Sequence, residues 1–400
     1  MKLRFYGFEK IVKRELGIIS KDFDLIVMLL LAPVFYSLLY ASFYINKTET
    51  KVPVAVVDFD NSTTSNKFIN DLNLHQLIDV KERLNNPADI KDRLFSEQVQ
   101  GAIIIPENFE SCLKSREGTI IKLYLNTQRF LPSNDINKAV NEVALEYSKQ
   151  TRLKTFALKG ISFEQAIGSV EPIKDDIHFL FNPNTTYGDF LIPALLVLIL
   201  QQTLFMGIGE SVAKEREEKT LVEWYSCANN STIAAIAGKG LFYLVVFLCY
   251  SIFFFIVHFE LFKLNFIGNY ILLVLITMIF LIAMISLAIF VASFFNRKIL
   301  ALQVISFTSY PLFFLTGYAW QIFSMPKIIQ WISYIVPGTP FFDIYTRIAI
   351  MGAGLSEVLP ALLHLIVLTI LLLVITTVRM KLVFCTLVKN PDDVNAMINI

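Results

Sequence analysis

The chain has 400 residues, 55% hydrophobic and only 17% charged, with 35 Lys/Arg against 34 Asp/Glu and a formal net charge of +1. That balance excludes a disordered chain and gives no electrostatic argument for nucleic acid as a partner. A simple water-soluble enzyme is excluded as well, because 17 Lys/Arg and 19 Asp/Glu crowd into residues 46–183 and leave the remainder apolar.

In chain order, Phe5, Phe8, Val12, Leu16 and Ile19 recur at helical spacing while Glu9, Lys10, Lys13 and Arg14 take another face. This predicts an amphipathic interfacial helix over residues 1–22, lying on the inner membrane surface against lipid. Leu25 to Ile45 then provides the ~20 apolar residues that cross a hydrocarbon core of ~30 Å. It is too long, and preceded by too much amphipathic chain, for a cleaved leader, so residues 23–46 are read as a permanent span.

Residues 47–187 read as a folded domain. Short apolar runs at Val52 to Asp58, Gly101 to Ile105 and Thr119 to Leu125 predict strands. More polar stretches near Thr64 to Leu72, Pro87 to Glu97, Glu107 to Lys114 and Ser133 to Leu158 predict helices, giving a small α/β unit. The run from Asp58 to Ser62 offers oxygens that suit a hard cation, but a turn with a helix cap is the preferred reading. The four cysteines include no CxxC pair and suggest neither a zinc site nor a disulfide framework.

Five more spans follow within residues 188–378: Phe190 to Ile208, Leu241 to Val257, Tyr270 to Phe294, Ile299 to Trp320 and Val358 to Val378. Pro33 and Pro311 each predict a kink. Between the second and third spans, Glu210 to Tyr225 reads as a charge-dense helix that lipid would reject. Leu221, Trp224 and Tyr225, taken as exposed, point to a protein partner there. Residues 321–356 stay apolar yet carry Pro326, Pro337 and Pro340; an interfacial loop and a pair of short re-entrant helices both fit. Residues 379–400 form a tail.

Fifteen Lys/Arg flank the spans on one side, from Lys2 to Lys389, against Lys263, Lys327 and Arg347 on the other. Positive charge is retained in the cytoplasm, so both termini are expected inside and residues 47–187 outside. The fold class expected is an α-helical polytopic membrane protein with six transmembrane helices and an inserted extracytoplasmic α/β domain. No carboxylate lies at mid-span to relay protons, and no G-x-x-x-x-G-K-[ST] run is present to cradle nucleotide phosphates. Gln201 and Gln202, and His364 in the sixth span, are read first as interhelical hydrogen-bonding groups.

Several short strings, in order, resemble the permease subunits of ABC type-2 transporters: Arg14-Glu15 through Pro33, Val54 to Asp58, Phe181-Asn182-Pro183, Leu191-Ile192-Pro193, Glu215-Arg216-Glu217 with Thr220 and Glu223, Tyr310 to Tyr318, Met325-Pro326 and Ile335-Val336-Pro337. The resemblance covers nearly the whole chain. It departs at Lys219, where such permeases usually have Gly before the Thr, at Glu223, one position later than usual, and near Cys227, where a proline is missing.

The resemblance implies a coupling helix at residues 210–226 that docks an ABC ATPase subunit through Glu215, Arg216, Glu217, Thr220, Glu223 and Trp224. It also implies an interfacial helix acting through Phe8, Lys13, Arg14 and Glu15. Gln201, Gln202, Pro311, Gly317, Pro326 and Pro337 become candidates for the translocation path or its lid. ATP and Mg would be used by the partner and no cofactor held by this chain, which is not itself an enzyme. The implied protein is the permease of an exporter in the bacterial inner membrane, moving an amphiphilic or drug-like substrate. It would pair with a second copy or a homologous permease, and a periplasmic adaptor is compatible with the outer domain. The rival readings are a secondary carrier and a non-transporting receptor or scaffold.

Overall fold

A computed structural model describes residues 2–44, 50–115, 117–170, 178–183 and 185–389, with side chains from residue 9 onward, apart from 169 and 387–389. Ile45, the predicted end of the first span, lies outside the described residues, as do 390–400 of the predicted tail. The chain divides into two compact units, Met1–Ile45 with Phe179–Ile400, and Asn46–His178. The inserted unit therefore ends before the predicted boundary at 187, and residues 179–186 belong with the bundle.

The bundle begins with α1 (Lys2–Ile19) and α2 (Phe23–Phe43). Helix α2 contains a π turn at Val27–Leu31, immediately before Pro33. A proline has no N–H to give to the helix ladder, and placing it in the first turn after a register change removes that conflict.

In the inserted unit, β1 (Val52–Asp58), α3 (Thr63–Leu74), β2 (Ile78–Leu84), α4 (Asp89–Phe95), β3 (Gly101–Ile105), α5 (Phe109–Ser115), β4 (Lys122–Leu125), α6 (Phe130–Leu158) and α7 (Phe163–Val170) follow in order. The sheet runs β2-β1-β3-β4, with β1 parallel to β2 and β3, and β4 antiparallel to β3. Strand side chains alternate between two cores. Val54, Val56, Ile103 and Ile105 pack with Phe68, Phe109 and Ile136 on one face, while Ala55, Val57, Ala102 and Ile104 pack with Ile90 and Val99 on the other.

Strand β2 is not among the strands that the sequence predicts. Its sequence carries Asp79, Lys81, Glu82 and Arg83, and only Ile78 and Leu84 are buried. An edge strand has one neighbour and tolerates charge, which also guards against stray pairing. The loop after β1 is a turn and cap: Asp58 accepts the N–H groups of Asp60 (3.1 Å) and Asn61 (3.2 Å) and the Ser65 hydroxyl (2.7 Å). Ser62 and Ser65 form a reciprocal capping box at the start of α3.

The bundle resumes with α8 (Tyr187–Glu217), α9 (Leu221–Cys227), α10 (Thr232–Leu261), α11 (Tyr270–Ala292), α12 (Lys298–Leu315), α13 (Lys327–Ile335), α14 (Gly338–Tyr345) and α15 (Leu355–Lys389). Among the described residues six helices, α2, α8, α10, α11, α12 and α15, are long and apolar enough to cross a membrane. They coincide with the predicted spans, but α8 and α15 run well past them. The charge-dense segment is thus not one helix; it is the last two turns of α8 plus the separate α9. The predicted tail likewise begins as a continuation of α15 to Lys389.

Helices α8 and α11 form the centre, with 78% and 56% of their apolar windows buried against 22–33% for the other four. Helix α8 packs on α2, α11 and α12, and α11 packs on α10 and α15. Glycines permit these approaches: a Cβ on Gly207 would lie 2.5 Å from Leu29, and one on Gly209 would lie 2.2 Å from Ile305. The region 321–356 contains two short helices. Helix α14 is buried, with Phe341 stacked on Phe280 at 3.9 Å, whereas α13 leaves Ile328, Trp331 and Ile335 exposed.

Phe68 is completely buried in the inserted unit, touching the rings of Phe109 and Tyr147. Phe68→Ala should destabilise that unit by about 3–5 kcal/mol. Urea unfolding of residues 46–178 checks this; a change within 1 kcal/mol would show that Phe68 is not part of its core.

Candidate functional site

The site is built around the corner where α8 ends and α9 begins. Lys219 stands there with φ 60°, the left-handed region that glycine occupies most easily. Thr220 N–H bonds back to the Glu215 carbonyl (3.0 Å) and Lys219 N–H to that of Arg216 (3.3 Å). This Schellman pattern closes α8 and turns the chain sharply. The position before Thr220, where the resemblance leads one to expect Gly, is therefore the αL position of the cap, and lysine fills it. At the other end of α9, Asn229 and Asn230 are also left-handed, and Ser231 caps α10 through Ala234 N–H. Two asparagines supply the turn for which a proline was expected.

Behind the corner lies a buried ionic network. Arg14 of α1 makes a two-pronged bond to Glu215 of α8, at 2.5 and 2.7 Å. Lys239 of α10 bonds Glu15 at 2.7 Å and Glu215 at 3.2 Å. The Thr220 hydroxyl donates to Glu215, and that of Ser211 to Glu15 at 3.3 Å. Glu15 and Lys239 are wholly buried, and Glu215 nearly so. Two positive and two negative charges cancel, which is what allows such groups out of water. Burial works against the Arg14 charge, but the bond to Glu215 and the nearby Glu15 more than offset it, so its pKa is raised.

Lys239 also lies over the Trp224 ring, 4.8 Å from its centre. Trp224 Nε1 donates to the Ala235 carbonyl at 3.2 Å, and its ring meets Phe384 edge-on at 5.5 Å. Tyr225 stacks on Phe384 at 4.6 Å. Helix α9 is thus fastened to α10 and α15 by its apolar side. Leu221 and Trp224 are buried and Tyr225 is half-buried. The inference of a partner from their exposure does not stand; their hydrophobic surface is consumed within the chain.

The remaining corner residues divide by direction. Arg216 donates to the Ser293 carbonyl at the end of α11, where Arg379 also bonds Ser293, to Oγ at 3.2 Å and to the carbonyl at 3.3 Å. Cations at that terminus complement the helix dipole. Glu217 accepts the N–H of Lys298 at 2.7 Å and so caps α12. Asp22 caps α2 and pairs with Lys214. Burial acts to raise the Asp22 pKa, but the Lys214 bond and the Leu25 N–H outweigh it and leave the pKa lowered. Facing outward are Glu217, Glu218, Lys219, Val222 and Glu223.

Of the docking residues predicted, Glu215, Arg216, Thr220 and Trp224 are therefore engaged inside the chain, and Glu217 and Glu223 are exposed. In α1, Arg14 and Glu15 enter the ionic network, while Lys13 is exposed and pairs with Glu9 at 2.6 Å. Phe8 lies outside the described side chains. In the sequence Lys239 stands out only as one of the positive charges that set topology. Its signal was a lone charge between Gly238 and Gly240 at the start of an apolar run, which requires a buried counter-ion.

The predicted path and lid residues are spread over the other end of the bundle. Gln201 is buried beside α14, where a Cβ on Gly338 would lie 3.0 Å from its Oε1. Pro337 is buried at the start of α14, Gln202 is half-buried, and Pro311 and Pro326 are exposed. Gly317 adopts φ +86° where the chain leaves α12. His364 Nε2 donates to the Tyr334 carbonyl at 2.9 Å and so joins α15 to α13.

Six long apolar helices among the described residues, with a large unit inserted in the chain after the first, define a polytopic membrane protein. The sequence matches the profile of the ABC-2 family transporter proteins over residues 23–378, and the chain belongs to that family. It is also similar to the probable multidrug ABC transporter permease YbhR of Escherichia coli, in strains K12 and O157:H7. Each is 21% identical over 367 residues, covering 91% of this chain and 95% of the relative.

Helix α1 reaches the network because Gly238 lets Ile11 approach: a Cβ on Gly238 would lie 2.7 Å from Ile11 Cδ1. Gly238→Val should destabilise the purified chain by about 1–3 kcal/mol through overpacking. Adding Ile11→Ala should recover part of that loss in the same denaturation assay, and strictly additive losses would show that the two do not meet.

Proposed function

We propose that this permease is the membrane-spanning subunit of an ATP-driven exporter in the bacterial inner membrane, with both termini cytoplasmic. Two copies, or one copy and a homologous permease, would form the conduit. Separate ATPase subunits would dock on the exposed corner formed by Glu217, Glu218, Lys219, Val222 and Glu223. ATP and Mg belong to those subunits, since no phosphate-cradling loop occurs in this sequence. The excess of Lys and Arg on the α1 and α9 side supports its cytoplasmic placement.

The observation that carries this reading is the junction of the exposed corner with the buried quartet of Arg14, Glu15, Glu215 and Lys239. A push on α9 meets Trp224 packed against Lys239, and Lys239 is bonded to α1 and α8 together. Displacement of the corner then moves α1, α8 and α10 as one body. Helix α8 carries it across the membrane to Gln201, which lies against the start of α14. Shifting α14 would open the far end of the path. Buried charges favour this rigid transfer, because separating them leaves an uncompensated ion in a medium of low dielectric.

An amphiphilic or drug-like cargo is consistent with the name of the E. coli relative, which calls that protein a probable multidrug permease. Val222→Asp combined with Glu223→Gln changes two exposed side chains; Glu223 stands 3.9 Å from Arg14, and the neutral Gln removes that outer contact without setting a second cation beside the network. The pair should abolish co-purification of the ATPase subunit while membrane insertion and yield stay at the wild-type level. Undiminished co-purification would move the docking surface away from α9.

A further inference from the structure

At the same end of the bundle, beside the Arg14 network, three carboxylates converge. One oxygen each from Asp22, Asp24 and Glu210 lies within 4.8 Å of the others. They come from different elements: Asp22 caps α2, Asp24 is exposed in its first turn, and Glu210 projects from α8. Asp22 Oδ1 is already occupied by the N–H groups of Asp24 (3.0 Å) and Leu25 (3.4 Å).

Two ammonium groups serve these three carboxylates. Lys214 pairs with Asp22 and reaches exposed Glu218 at 3.7 Å. Lys298 pairs with Asp24 at 3.2 Å and stands 3.7 Å from Glu210. Three negative charges therefore face two positive ones. The shortfall falls on Glu210, which is wholly buried and has no hydrogen-bond partner on either oxygen. Its nearest ammonium lies beyond hydrogen-bond reach and is held more closely by Asp24. A carboxylate buried without a donor or a counter-ion of its own is strongly disfavoured.

We propose that Asp22, Asp24 and Glu210 form a binding site for one alkali metal ion, Na+ or K+. Carboxylate oxygens are the hard donors that such an ion prefers. A single positive charge brings the three carboxylates and two ammonium groups to neutrality; exposed Glu218, 3.7 Å from Lys214, stands outside the triad and is solvated by water. The exposed Asp24 gives the ion a route from solvent and leaves space for water to complete its shell. The bound ion ties the start of α2 to α8, next to the residue that starts α12. It would therefore stiffen the contact between α2 and α8.

The test uses the purified full-length chain in nanodiscs of uncharged lipid, without any ATPase subunit, so its outcome is separate from that of the docking assignment. Thermal unfolding is followed by tryptophan fluorescence while NaCl or KCl replaces choline chloride at constant ionic strength. The expected result is a saturable rise in midpoint of about 2–4 °C with the alkali ion, relative to choline. Glu210→Gln should abolish the rise. Asp24→Asn, at an exposed position that leaves the fold intact, should shift its half-saturation to higher salt by about tenfold or more. Equal midpoints in choline and alkali salts, a response to Mg2+ alone, or an unchanged half-saturation in Asp24→Asn would each overturn the site.

Discussion

Four paired charges, three of them buried and the fourth, Arg14, half-buried, govern the bundle. Arg14, Glu15, Glu215 and Lys239 come from three helices, and each finds its counter-charge among the others. Arginine is the suitable residue at position 14, because a flat guanidinium meets both oxygens of Glu215 at once. The consequence is positional: α1 has one depth and one rotation at which its charges are met. An amphipathic helix on a membrane surface would otherwise slide and roll.

The rest of the architecture extends that constraint in two directions. Toward the aqueous end, Trp224 sits over Lys239 and against Phe384, so the short helix α9 inherits the position of the network. Through the membrane, α8 is a single 31-residue helix, the most buried of the six, and its glycines admit Leu29 and Ile305 to the backbone. Close packing of this kind transmits displacement because it leaves no slack to absorb it. The inserted unit has its own sheet and two cores, and its stability is a separate matter.

Much of this was legible in the sequence, for identifiable reasons. Apolar length is a reliable ruler for spans, and the six predicted stretches fall on the six long apolar helices. Strong β runs such as Val52 to Asp58 and Gly101 to Ile105 announced themselves, but β2 did not, because Asp79, Lys81, Glu82 and Arg83 interrupt Ile78, Val80 and Leu84 and leave no apolar run. The charged string from Glu210 to Glu223 was legible along the chain, but which of its residues face inward and which outward was not. Glu215 and Glu217 are two residues apart in one charged string; only the helix phase decides that the first meets Arg14 while the second meets the start of α12. Trp224 looked like a docking residue for the same reason, since its partner Phe384 is far away in sequence. The Asp22, Asp24 and Glu210 cluster was invisible, because it depends on a contact between α2 and α8.

The claim that the ionic network fixes α1 to the bundle is tested most directly by a double-mutant cycle across its best-formed pair. Unfolding free energies would be measured in detergent for the wild-type chain, Arg14→Met, Glu215→Gln and the combined variant. A coupling energy of about 2–3 kcal/mol between the two positions is predicted, each single change being worse alone than half of the double. Losses that add within about 0.5 kcal/mol would contradict the account, since the two side chains would then be stabilised independently.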